Sequence, residues 1–126
     1  RGTIFGDLDD DGDIDIVVIN QNDRPLLLEN VGVPGRHWIG FRCAGTVSNR
    51  DAVGARVEVR AAALGGVREV QCGTSYLSSS DPRVHFGLGE RTIVDSVVVR
   101  WPTGAKQTFK GLAVDRYHRL VEERAR

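Results

Sequence analysis

The chain has 126 residues and a mass of 13.8 kDa, enough for one ordinary domain or for one domain and part of another. Hydrophobic residues make up 40% of it, which excludes wholesale disorder. Its formal charge of zero hides an asymmetry that points to two regions with different jobs: residues 1 to 30 carry eight acidic side chains against two basic, and the remainder fifteen basic against nine acidic.

Short Val- and Ile-rich runs, each followed by a turn signal, and 15 glycines are the pattern of an all-β chain of about eight strands. TIF comes first, then IDIVVIN and PLLLEN, separated by the polar turn Gln21-Asn22-Asp23-Arg24; together they predict a small meander that needs something to pack on. The Gly/Pro break Val31-Gly32-Val33-Pro34-Gly35 marks a boundary. Beyond it HWIGFRCAG places Ile39, Phe41 and Cys43 on one face, and Ala55, Val57, Val59 and Ala61 alternate with Arg56, Glu58 and Arg60. Gly65-Gly66 is expected to close a hairpin into VREVQCG, with Val70 and Cys72 inward. RVHFGLG follows, then IVDSVVVRW with Val97, Val99 and Trp101 on one side, a Pro102-Thr103-Gly104 turn and KQTFKG. The last stretch, GLAVDRYHRLVEE, has helical spacing at Val114, Tyr117 and Val121, but a helical turn followed by a closing strand is the preferred reading.

The run DLDDDGDID gathers six aspartates into nine residues. Unneutralised, they repel one another at short range; around a hard cation the same carboxylates become ligands, because calcium takes six to eight oxygens from one compact loop. The pattern DxDxDGxxD assigns Asp7, Asp9 and Asp11 as alternating ligands, Gly12 to the sharp turn, the carbonyl of Asp13 as the fourth contact and Asp15 as the closing ligand. Asp10 is expected to be a solvent-facing spacer. An EF-hand would carry Glu at the twelfth position and helices on both sides; here that position is Val18 and the flanks are β-branched. Calcium in a structural role is the cofactor expected.

Other constellations are weaker. Gly73-Thr74-Ser75-Tyr76-Leu77 departs from a nucleophile elbow at its last position, and Gly87-Leu88-Gly89 lacks the third glycine of a dinucleotide site. Tyr76, Ser78 and Ser79, with Arg83 and His85, form a polar segment that could meet a sugar or a peptide, though such hydroxyls more often satisfy their own backbone. Trp38 and Trp101 sit in strands, where core burial is the default. His37, His85 and His118 lack the spacing of a zinc site. Cys43 and Cys72 allow one disulfide or two buried thiols, and both readings stay open. Only Lys106 and Lys110 are lysines and the arginines are scattered, so no nucleic-acid partner is expected. No apolar run approaches the roughly 20 residues of a membrane span and RGTIFGD has no signal-peptide character, so no membrane insertion is expected. The absence of methionine predicts a processed product or a piece of a longer protein.

FGDLDDDGDIDIVVIN followed by LLLENVG resembles the FG-GAP/VCBS repeat, the blade unit of integrin-type β-propellers, in which such a loop binds calcium. SNRDAVGARVEVRA, REVQCGTSYLSSSDPRVHFGLGE and VDSVVVRWPTGAKQTF resemble the ASPIC/UnbV domain that follows such repeats in secreted, cartilage-acidic-protein-like chains. The resemblance implies a partial propeller blade over residues 1–32 and an antiparallel β-sandwich-like domain over 33–126, at the C-terminal end of a larger propeller protein. It also implies an extracellular or periplasmic location and a non-enzymatic role in recognition or adhesion, with an extracellular protein or glycan as partner. Two alternatives compete: part of an enzyme whose active site lies on other propeller blades or in the 76–85 loop, and a structural cap covering a propeller edge. Open strand edges also predict self-association between copies.

Overall fold

The computed structural model describes residues 2–62, 64–71 and 82–124. Ten strands follow in chain order: β1 (Gly2–Gly6), β2 (Asp15–Ile19), β3 (Leu26–Leu28), β4 (His37–Ala44), β5 (Arg56–Ala61), β6 (Leu64–Glu69), β7 (Val84–Gly89), β8 (Ser96–Arg100), β9 (Lys106–Phe109) and β10 (Tyr117–Val121). The fold is all-β, with no helix among the described residues. Strands β1, β2 and β3 form the expected antiparallel meander, with Ile4 opposite Val17 and Ile16 opposite Leu28. The other seven strands make two sheets, ordered β10-β4-β7 and β6-β5-β8-β9.

These two sheets share one hydrophobic core. Ile39, Phe41 and Cys43 of β4, Val84, Phe86 and Leu88 of β7 and Leu120 of β10 meet Val57, Val59 and Ala61 of β5 and Val97 and Val99 of β8, with Trp101 just beyond. The period-two alternation of β4 and β5 therefore reads out as expected: every second side chain points into the space between the sheets. The Phe41 and Phe86 rings meet edge to face, with centroids 6.0 Å apart.

Three local features differ from the sequence reading. The β5–β6 hairpin forms, but Gly65 and Gly66 lie inside β6, opposite Arg60 and Val59. The chain reverses earlier instead, since Ala61 pairs with Leu64; Ala62 takes φ 54° and its N–H donates to Asp95 Oδ2 at 2.7 Å. Gly66 lies under the Phe86 ring of the opposite sheet, where a Cβ would meet the ring at an ordinary contact distance of 3.5 Å. The second difference is that β10 runs parallel to β4, Tyr117 opposite Gly40 and Leu120 opposite Cys43, so this sheet is mixed. The chain reaches β10 from β9 of the other sheet, and a crossing between sheets, unlike a hairpin, does not impose antiparallel pairing. Finally, no helical turn precedes β10, and the helical spacing of Val114, Tyr117 and Val121 is overridden by pairing with β4. Cys43 is a buried free thiol whose pKa burial pushes up to about 11; Cys72 lies outside the described residues.

Glu122, immediately after β10, is the one fully buried glutamate among the described residues. Its Oε1 accepts the N–H groups of Thr46, Val47 and Ser48 at 2.9, 2.9 and 2.7 Å, and its Oε2 accepts the Ser48 hydroxyl at 2.9 Å. Desolvation alone would raise the carboxyl, but these donors outweigh it and hold the pKa down at about 2. One carboxylate thus ties the turn after β4 to the end of the chain's last strand.

Candidate metal centre

The aspartate run is the loop from β1 to β2, whose last ladder pair is Gly6 with Asp15. Asp7 and Asp15, at the two ends of the loop, are each only 2% exposed. Their carboxylates organise the backbone around them. Asp7 Oδ1 accepts from the N–H of Asp11 at 3.1 Å and Asp7 Oδ2 from that of Gly12 at 2.7 Å; Asp15 accepts from Leu8 N–H through Oδ2 at 3.1 Å and from Asn30 N–H through Oδ1 at 2.8 Å. Asp11 Oδ1 accepts from Asp13 N–H at 2.9 Å. Gly12 has φ 91°, a conformation that side chains disfavour, and an added Cβ would lie 2.0 Å from Trp38 Nε1.

Asp7, Asp9 and Asp15 bring one oxygen each within 4.8 Å of the others. Two oxygens bound to one calcium at 2.3–2.6 Å are at most about 5 Å apart, so the three fit a shared cation of that size. The donors are hard carboxylate oxygens, the ligand type of calcium and magnesium. Asp11 and Asp13 belong to the same loop but outside this converging trio, with Asp11 holding the backbone of Asp13.

The carboxyls feel this crowding differently. Burial would raise Asp7, yet the hydrogen bonds from Tyr117, Gly12 and Asp11 prevail and hold its pKa below the ordinary value. Asp9 is pushed up by partial desolvation and then by its neighbour Asp11, and Asp13 by desolvation and then by the charges of Asp11, Asp7 and Asp15.

The outer face of sheet β10-β4-β7 holds the loop in place. Arg83 donates through Nη1 to Asp10 Oδ1 at 2.7 Å and through Nη2 to the Asp7 carbonyl at 2.8 Å. His85 donates from Nε2 to the Gly12 carbonyl at 2.6 Å, and the Tyr117 hydroxyl donates to Asp7 Oδ2 at 2.8 Å. Burial lowers the pKa of His85, with the Gly12 carbonyl opposing the shift. Asp10 is exposed, as expected of a spacer, but it is ion-paired to Arg83.

Trp38 is not a core residue. Its neighbour Ile39 points inward, so alternation along β4 sends the indole to the outer face, where it stacks on His85 (centroids 5.4 Å apart) and leans on Tyr117 (4.7 Å). Trp101, in contrast, is buried in the core as expected. Of the polar segment read as a ligand loop, Arg83 and His85 are engaged with the aspartate loop, while Tyr76, Ser78 and Ser79, like Gly73-Thr74-Ser75-Tyr76-Leu77, lie outside the described residues.

Residues 45–126, about two-thirds of the chain, match the family model described as ASPIC and UnbV. The chain belongs to the ASPIC/UnbV family. No curated protein matches it. The matched ASPIC/UnbV stretch supplies Arg83, His85 and Tyr117, whereas the aspartate loop, Trp38 and all of β4 precede it. Yet β4 lies between β7 and β10, so the sheet that carries the ASPIC/UnbV side of the junction is completed by residues upstream of the match. The sequence reading did not place Tyr117 or Gly40 at this site. The available signal was a glycine in the middle of an otherwise alternating strand, which often marks a close approach. Here a Cβ at Gly40 would lie 2.2 Å from the Tyr117 ring, which crosses over it towards Asp7.

Proposed function

We propose that this chain is a calcium-stabilised, non-enzymatic module that acts in extracellular or periplasmic recognition at the C-terminal end of a larger propeller protein. The observation that carries the reading is charge burial. Asp7 and Asp15 are both buried, they face Asp9, and no cationic side chain forms an ion pair with either among the described residues. Arg83 instead reaches the Asp7 carbonyl and Asp10. Hydrogen-bond donors can hold one buried carboxylate, but three carboxylates whose oxygens lie within 4.8 Å of one another also repel, and a cation placed among them offsets that repulsion. Asp7, Asp9 and Asp15 would hold the ion, with Asp11 and the Asp13 carbonyl completing the set implied by the spacing. The role of the ion is structural, to neutralise the loop and fix its shape. Membership of the ASPIC/UnbV family and the resemblance of residues 1–32 to an FG-GAP/VCBS repeat support the extracellular setting and a protein or glycan partner.

Calorimetric titration of calcium into chelator-treated protein tests this, run beside Asp9→Asn and Asp11→Ala. One site is expected in the unaltered chain, with none in Asp9→Asn and a much weakened one in Asp11→Ala. At a hundred times the dissociation constant the ion should add about 2.7 kcal/mol of stability. An identical melt in calcium and in chelator would remove the site.

A second reading, that the meander covers or extends a neighbouring sheet, is favoured by its surface. Leu26, Leu27 and Leu28 are 49%, 56% and 46% exposed, and because successive residues of a strand point to opposite faces, they make this sheet apolar on both sides. Such a strand at a sheet edge invites another sheet or a second copy. The chain is expected to self-associate as concentration rises, measured by light scattering, and Leu27→Lys to restore the monomer. A monomer at every concentration in the unaltered chain would refute the expectation.

A further inference from the structure

The contacts between the aspartate loop and the ASPIC/UnbV sheet are arranged as a support for the metal ligands themselves. Tyr117 is 110 positions from Asp7 in sequence, yet its hydroxyl takes up one lone pair of Asp7 Oδ2 and so orients the carboxylate. The phenol is itself fixed on several sides. Gly40 lies beneath the ring with no Cβ to lift it, the Arg83 guanidinium lies 4.0 Å from the ring centroid, and Trp38 leans against it at 4.7 Å. Arg83 and His85 also hold two backbone carbonyls of the loop, those of Asp7 and Gly12. Groups that hydrogen-bond a metal's ligands set their orientation, and losing one typically weakens metal binding about 10- to 100-fold.

We propose that Tyr117, with His85, is a positioning residue for the cation site, so that loading of the loop and docking of the loop on sheet β10-β4-β7 form one coupled equilibrium. This rests on the cation reading given above. Coupling of this kind is reciprocal: if the sheet pre-organises the loop for the ion, the ion tightens the loop on the sheet by the same factor. Calcium then stabilises the whole chain through the junction, and not the meander alone.

The test is calorimetric titration of calcium chloride into the full chain and into Tyr117→Phe and His85→Gln, with melting temperatures in chelator and in calcium. Tyr117→Phe keeps the ring and its packing and removes only the hydroxyl. A dissociation constant about tenfold weaker in Tyr117→Phe, and a smaller calcium-induced rise in melting temperature, is the expected result. A hydroxyl with a merely structural role would lower the melting temperature in chelator and leave the calcium affinity untouched. Unchanged affinity in both variants overturns the inference while the cation site stands. Absence of binding by the unaltered chain removes the cation site and the inference with it.

Discussion

Glu122→Ala is expected to lower the stability of the chain by about 3 kcal/mol, read as a fall in melting temperature of about 10 °C. Five donors converge on this carboxylate: the N–H groups of Thr46, Val47 and Ser48, the Ser48 hydroxyl and, more distantly at 3.4 Å, the Thr103 hydroxyl. Truncation leaves them without an acceptor in a partly buried turn, and each unpaired buried donor carries a penalty of about 1–3 kcal/mol, which water entering the turn reduces. The pH dependence has a definite sign. Because the folded pKa, about 2, lies below the ordinary value of 4.5, the stabilisation is complete above pH 4.5 and is lost as pH falls from there towards 2. Comparison with Glu122→Gln isolates this group from the other carboxylates. The gap in unfolding free energy between the two proteins should be widest at neutral pH and should close on acidification below pH 4.5. A gap that stays constant down to pH 2 would contradict the assignment.

Phe41→Ala should be costlier still, about 4 kcal/mol by denaturant unfolding. Phe41 is fully buried in the middle of β4, meets Phe86 edge to face and stacks on His118 at a centroid separation of 6.1 Å. Its ring spans both neighbours of β4, so removal opens a cavity that neither β7 nor β10 can fill alone. Domains of this size have only about 5–15 kcal/mol in total, so the variant should sit close to its unfolding threshold. The denaturant midpoint should fall with little change in slope, which marks lost stability without a change in compactness. The effect should extend to the aspartate loop, because the opposite face of the same strand carries Trp38 and Gly40, which seat the loop and Tyr117. A loss below about 1.5 kcal/mol would mean that the surrounding side chains collapse into the space.

Much of this architecture is legible in the amino-acid order because its signals are local. Alternation alone places Ile39, Phe41, Val57, Val59, Val97 and Val99 inward, and the aspartate spacing with Gly12 locates a tight acidic loop between two strands. These properties depend on periodicity and backbone conformation over a few residues. Gly65-Gly66 shows where local signals mislead, since glycine at a turn and glycine beneath an aromatic ring from another sheet look the same in sequence. The direction of β10 was equally hidden, because it depends on which sheet edge the chain reaches after β9.

By its sequence alone this protein is an all-β chain with an acidic loop near its start and a resemblance to the ASPIC/UnbV domain. The tertiary structure decided what that loop rests on. Arg83 and His85, which the sequence offered as a ligand loop, together with Trp38 and Tyr117, converge on residues 7 to 12 across separations of 26 to 110 positions. Nothing in the spacing of these four residues encodes that meeting. It follows from the pairing of β4 with β7 and β10, which brings distant segments onto one face, and from the missing Cβ at Gly40, which lets Tyr117 lie across that face and reach Asp7.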